Sequence, residues 1–139
     1  MTKARAGDVV SRRKGLVMHK GIALGDGRIL HNTPFKGEHV ASESEFRAGR
    51  RLYVERRDGG TAAIIRARSY VRENRQYNLF TNNCEHTVSR ATDGQAKSPQ
   101  LRSWVVGAGL AAVAFAVTRH PVISAAAYAL GQKIANRYR

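Results

Sequence analysis

The sequence predicts an α+β domain followed by an apolar helical segment, and three features carry that expectation. Residues 7–57 hold short β-like runs separated by glycine-containing turns. From Thr61 the apolar side chains switch to helical spacing, and residues 103–118 are uncharged and largely apolar. A chain of 139 residues is long enough for one domain with a modest core and a tail.

Taken in order, residues 7–11 and 16–24 are strand candidates, Gly25-Asp26-Gly27 is a turn, and residues 28–32 form the returning strand. Pro34, Gly37 and several polar residues predict a loop running to about Gly49. Residues 51–57 follow as another strand, broken at Asp58-Gly59-Gly60. Thr61 is a candidate cap for a helix in which Ala63, Ile64, Ala67 and Val71 share a face. A second, short helix is expected from about Cys84 to Asp93, where Gly94 suits its carboxy-terminal cap. These signals divide the chain into a folded domain (1–94), a polar linker containing Pro99 (95–102) and a basic-ended helical tail (103–139).

The formal net charge of +14 predicts attraction to polyanions, anionic lipid headgroups or nucleic acid. No zinc-finger spacing or basic zipper organises the cations, so nucleic acid is disfavoured and a generally basic surface remains the plain alternative. The single cysteine excludes an internal disulfide. The first fifteen residues lack the apolar run of a secretory signal, and cytosolic residence is the expectation.

The hairpin around Gly25 carries the sharpest local expectation. A three-residue loop with Gly27 left-handed pairs Leu24 with Arg28, Ala23 with Ile29 and Gly21 with His31. His19 then falls on the same face as His31, diagonal to it, and Gly21 leaves room for an imidazole. A two-residue loop would send the two rings to opposite faces. Two histidines are too few for a metal site, and one cysteine without a Cys-x-x-Cys pattern argues against structural zinc.

Cys84, in the stretch FTNNCEHTVSR, completes the constellation. A thiol in the first turn of a helix lies near unpaired N–H groups and the positive end of the helix dipole, both of which favour thiolate. The alternative is a small buried filler. With a base and an orienting group the residues form an acyl-transfer set. Cys84 attacks an ester or amide carbonyl, His19 exchanges the proton and His31 holds His19. The N–H of Cys84 would help bind the oxyanion. His86 points about 200° away from Cys84 on the helix, and His39 and His120 have no evident partner.

At these residues the chain resembles the lecithin:retinol acyltransferase family, including the HRAS-like suppressor phospholipase/acyltransferases. NCEHTV is similar to that family's Asn-Cys-Glu-His-Phe-Val signature, HKGIALGDGRILH to its His-containing hairpin, and GDVV to the preceding strand. The polar connector and apolar carboxy-terminal segment are also similar, so the resemblance covers nearly the whole chain. It implies a circularly permuted papain/NlpC-like α+β fold in which Cys84 is the nucleophile, His19 the general base and His31 the orienting residue. It further implies an acyl-thioester formed from a glycerophospholipid, with no metal or dissociable cofactor. The sequence departs from the family at Lys20-Gly21, where a bulkier or aromatic residue is common, and at Thr87, which stands in place of phenylalanine.

The tail has two apolar runs separated by Arg119-His120-Pro121, and residues 101–139 contain five Lys/Arg and no Asp/Glu. A helix over 103–118 is about 24 Å long, short of the roughly 30 Å hydrocarbon layer. A re-entrant or interfacial helical hairpin is therefore expected, with Arg119, Arg137 and Arg139 at anionic headgroups. The expected partners are a glycerophospholipid substrate and an anionic membrane surface, with the protein cytoplasmic and membrane-associated. Two rival functions stand beside the acyltransferase/phospholipase: an NlpC-type peptidase or amidase, and a non-catalytic basic module binding membrane or nucleic acid.

Overall fold

A computed structural model describes residues 4–56 and 60–137; Arg57, the Asp58-Gly59 part of the break and Arg139 lie outside the described residues. The chain divides into two compact units, Met1–Lys97 and Ser98–Arg139. The first is α+β. Its strands are β1 (Val9–Lys14), β2 (Val17–Gly25), β3 (Arg28–Thr33), β4 (Gly37–Ser42) and β5 (Tyr53–Arg56), and its helices are α1 (Glu43–Arg47), α2 (Gly60–Glu73) and α3 (Cys84–Asp93). The five strands form one antiparallel sheet in the order β4-β3-β2-β1-β5.

Both faces of the sheet are covered, which is why β1, β2 and β3 contain apolar residues in both alternating sets. On one face Val9, Ile22, Leu24 and Leu30 pack with Ala67 of α2 and with Val88 and Ala91 of α3. On the other, Val10, Ala23 and Ile29 surround Phe46 of α1. α1 is only five residues long, and a reciprocal capping box between Ser42 and Glu45 sets its start. Its role is to deliver Phe46, 1 % exposed, onto the sheet.

The β2–β3 connection is tighter than the sequence suggests. Asp26 (φ 49°) and Gly27 (φ 76°) both take positive φ, as a two-residue type I′ turn requires, and Arg28 pairs with Gly25 rather than Leu24. A register shift between Ala23 and Gly25 absorbs one residue, so Ala23 still faces Ile29 and Gly21 still faces His31. The bulge thus restores the parity that a two-residue loop alone would have reversed. Residues 33–49, expected as a loop, instead hold β4 and α1. α2 begins at Gly60, which puts Thr61 inside the first turn rather than at its cap.

The second unit is a pair of helices, α4 (Pro99–Thr118) and α5 (Pro121–Arg137). Pro99 opens α4 from within the segment expected as linker, and Arg119 closes it in the left-handed conformation with its N–H on Phe115 O at 2.8 Å. Pro121 then starts α5. Tyr128 and Gly131 of α5 lie against Gly107 of α4, so the two helices fold back on one another as a hairpin.

Phe46 is the largest fully buried side chain and the centre of this face of the sheet. Phe46→Ala should lower unfolding stability by about 3–5 kcal/mol in a denaturant titration. A loss below about 1 kcal/mol would mean that α1 is not docked as described.

Candidate active site

The two central strands set the positions of the imidazoles. His19 and His31 project from the Phe46 face of β2 and β3, and His19 Nε2 lies 2.9 Å from His31 Nδ1. The Phe46 ring stacks on His19 with centroids 5.3 Å apart and meets His31 edge-on at 5.2 Å. Gly21 makes this packing possible, although not by housing an imidazole. A Cβ there would come within 2.6 Å of Ile29 Cγ2 and 3.1 Å of Phe46 Cε2. His39 of β4 adds a third ring, 4.2 Å from that of His31, and its Nδ1 bonds Gly37 O at 2.9 Å.

Both core imidazoles are neutral at pH 7. Burial first, then the nearby cations Arg12 and Lys14 and the His39 ring, pull His19 down to about 4. Burial, His39 and His19 take His31 to about 3. The shared bond uses His19 Nε2, and among the described residues His19 Nδ1 has no protein partner. Unlike His31 Nε2, it is not sealed from solvent.

Cys84 is the first residue of α3. Asn83 caps the helix, its side-chain oxygen accepting from Glu85 N–H at 2.9 Å and His86 N–H at 3.1 Å. His86 Nδ1 accepts in return from Asn83 N–H at 3.2 Å, so this histidine is part of the cap. Among the described residues the N–H of Cys84 meets no protein acceptor. α3 packs on the sheet face opposite Phe46, but its first residue meets β2 at the strand backbone. The thiol lies against the backbone N–H groups of Lys20 and Glu85, and Lys20 is the neighbour of His19. No hydrogen bond joins Sγ to either imidazole among the described residues.

The thiol is not ionised in this setting, contrary to the expectation from its helix position. Burial pushes it above its ordinary value, and the Lys20 N–H opposes that only in part. Glu85 also disfavours thiolate, and its carboxylate is itself paired at 3.1 Å with Lys20 Nζ, which reaches Glu55 at 3.0 Å as well.

A polar network holds α3 to the sheet. Glu38 of β4, 1 % exposed, accepts on Oε1 from Thr87 Oγ1 at 2.7 Å and from Arg90 Nη2 at 2.6 Å. Arg90 also reaches Asn82 Oδ1, and Asn32 Nδ2 bonds Asn82 O at 2.8 Å. Thr87, which stands where the resemblance puts a phenylalanine, is a buried link in this network.

The structure thus brings His19 and His31 into direct contact and sets Cys84 one strand position away. Sequence reasoning missed Phe46 and His39, both inside the stretch assigned to a loop. The capping-box pattern Ser42-x-x-Glu45 is the signal that could have found α1. Among the described residues no His/Cys/Asp/Glu group of three or more is arranged to hold a metal ion. No known protein-family model matches the chain, and no curated protein matches it either.

The depressed imidazoles make acid a specific stress. An unfolded histidine binds a proton near pH 6.5, whereas the folded pair does so only near 4 and 3. Their contribution to stability is complete above pH 6.5 and is lost as pH falls through that window. The denaturation midpoint of the wild type should drop more steeply between pH 6.5 and 4 than that of His19→Gln/His31→Gln. Parallel slopes would contradict the burial of two neutral rings.

Proposed function

We propose that the protein is a thiol-dependent acyltransferase or phospholipase A acting on glycerophospholipids at a membrane surface, on a circularly permuted papain/NlpC-like fold. The observation that carries the proposal is the buried His19–His31 bond. It occupies Nε2 of His19 and leaves Nδ1 open beside the strand position that the Cys84 thiol touches.

In this mechanism His19 keeps its proton on Nε2, donates it to His31 Nδ1 and presents Nδ1 as the base. Sγ bonds to the acyl carbon as its proton passes to Nδ1. The resulting oxyanion is met by the N–H of Cys84. The ester C–O bond then breaks, and the leaving lysophospholipid oxygen takes the proton back from His19. Water, an amine or a hydroxyl next loses its proton to Nδ1 and attacks the thioester, and the departing sulfur recovers that proton. With the thiol pushed up by burial and the imidazole drawn down to about 4, full proton transfer before any bond forms is strongly uphill. The proton therefore moves together with C–S bond formation, in the manner of a general base rather than of a preformed ion pair.

A lipid substrate is favoured over a peptide by the exposed apolar side chains of the first unit. Leu79 and Phe80, in the loop leading to Cys84, are exposed, as are Leu16 and Phe35. Together with the basic surface and the apolar hairpin they suit a lipid interface better than an aqueous peptide.

Exposure to phosphatidylcholine vesicles should give an acyl adduct on Cys84 by intact mass, absent in Cys84→Ser. His19→Gln should slow acyl transfer by about 10²–10⁴-fold. The acid limb of the wild-type rate should lie near pH 4, because only neutral His19 accepts the proton. Full lipase activity in Cys84→Ser would remove the proposal.

A further inference from the structure

We propose that α4 and α5 cross the bilayer together, with Arg119 and His120 among the headgroups of the leaflet far from the rest of the chain. The inference deepens the membrane attachment in the preceding proposal and does not depend on the thiol chemistry. It replaces the interfacial or re-entrant hairpin expected from sequence with a two-legged span.

The distribution of apolar side chains selects lipid as the occupant of this surface. Trp104, Val105, Leu110, Val113, Phe115 and Val117 are all exposed, and only 11 % of the apolar stretch of α4 is buried. A helix that docks on a protein shows one apolar stripe and a polar back, whereas α4 is apolar all round. Laid flat among headgroups, it would keep half of those side chains in water.

The charges fall at two levels. Arg102, Lys133 and Arg137 lie toward the open end of the hairpin, and Arg119 with His120 forms its tip. Residues 103–118 and 121–132 contain no charged side chain. The uncharged part of α4, residues 103–118, is about 24 Å long, and the Arg102 stem can carry its guanidinium the remaining few ångströms to the near headgroups of a roughly 30 Å layer. The uncharged part of α5, residues 121–132, is about 18 Å long. α4 alone of the described helices is long and apolar enough to span by itself, and the shorter leg crosses by local thinning of the layer, with the Lys133 stem carrying its ammonium to the near headgroups. Crossing therefore puts the cations at the two interfaces, where anionic lipids attract them. Stopping halfway would leave Arg119 at the midplane, its most costly position.

The hydroxyls of Ser103, Thr118 and Ser124 and the Gln132 amide nitrogen already have partners within the hairpin, as a hydrocarbon environment favours. Ser103 Oγ donates to Gln100 O at 3.0 Å, Thr118 Oγ1 to Ala114 O at 2.7 Å and Ser124 Oγ to His120 O at 3.0 Å. Gln132 Nε2 donates to Tyr128 Oη at 2.9 Å. Gly107 and Gly131 let the legs touch at the backbone; a Cβ on Gly131 would lie 2.8 Å from Gly107 Cα. Such close small-residue packing is how helices associate in lipid, where no hydrophobic force drives them together.

The test is the full chain carrying Cys84→Ser, Arg50→Cys and His120→Cys, reconstituted into sealed vesicles of phosphatidylcholine and phosphatidylglycerol. Residue 50 is exposed in the first unit, and residue 120 is at the hairpin tip. A membrane-impermeant maleimide should add one label per molecule, whichever way the protein inserted, and two after detergent. Populations with two labels or none before detergent would overturn the crossing, because both sites would lie on one side. Vesicle flotation reads attachment separately. Failure to float would remove both the crossing and the attachment, while leaving the acyl-adduct result on Cys84 to judge the chemistry.

Discussion

The hydrogen bond between His19 and His31, sealed under Phe46, is the constraint around which the first unit is arranged. Two neutral imidazoles can share one proton in a dry place only if strand register, turn and cover all agree. The bulge at the β2–β3 turn keeps both rings on one face despite a two-residue loop. Gly21 clears the space that Phe46 occupies, and the Ser42–Glu45 capping box fixes the short helix that brings Phe46 there. Burial is the largest cause that lowers the basicity of both rings, and each of these features contributes to it.

The opposite face of the sheet performs the complementary task of holding α3. Glu38, Thr87, Arg90, Asn82 and Asn32 form a buried polar clamp beneath the start of α3. That clamp presents Cys84 to the backbone of β2 at Lys20. Because burial raises the thiol and lowers the imidazoles, neither Cys84 nor the His19–His31 pair carries charge at rest. Keeping these buried groups neutral costs less than burying a thiolate–imidazolium pair.

The core strands, the α3 cap and the shared face of His19 and His31 were legible because each depends on local pattern. Alternating residues, Gly25-Asp26-Gly27 and the glycine after Asp93 are signals within a few positions of what they control. Residues 33–49 were not legible. Pro34 and Gly37 look like loop residues, yet Glu38 is buried in β4 because Arg90 and Thr87, about fifty residues later, satisfy it. The ionisation of Cys84 was misjudged for the same reason. Helix position argues for thiolate, but the burial that outweighs it comes from contacts across the fold. In the tail, the break at Arg119-Pro121 marked a hairpin. The Gly107–Gly131 contact could be seen only with both helices in place.

The tautomer of His19 tests the central claim most directly, through long-range proton–nitrogen correlation spectra of the imidazoles at pH 7. The account predicts a neutral ring protonated on Nε2, with Nδ1 showing the shift of an unprotonated acceptor. A proton on Nδ1, or an imidazolium at that pH, would contradict it.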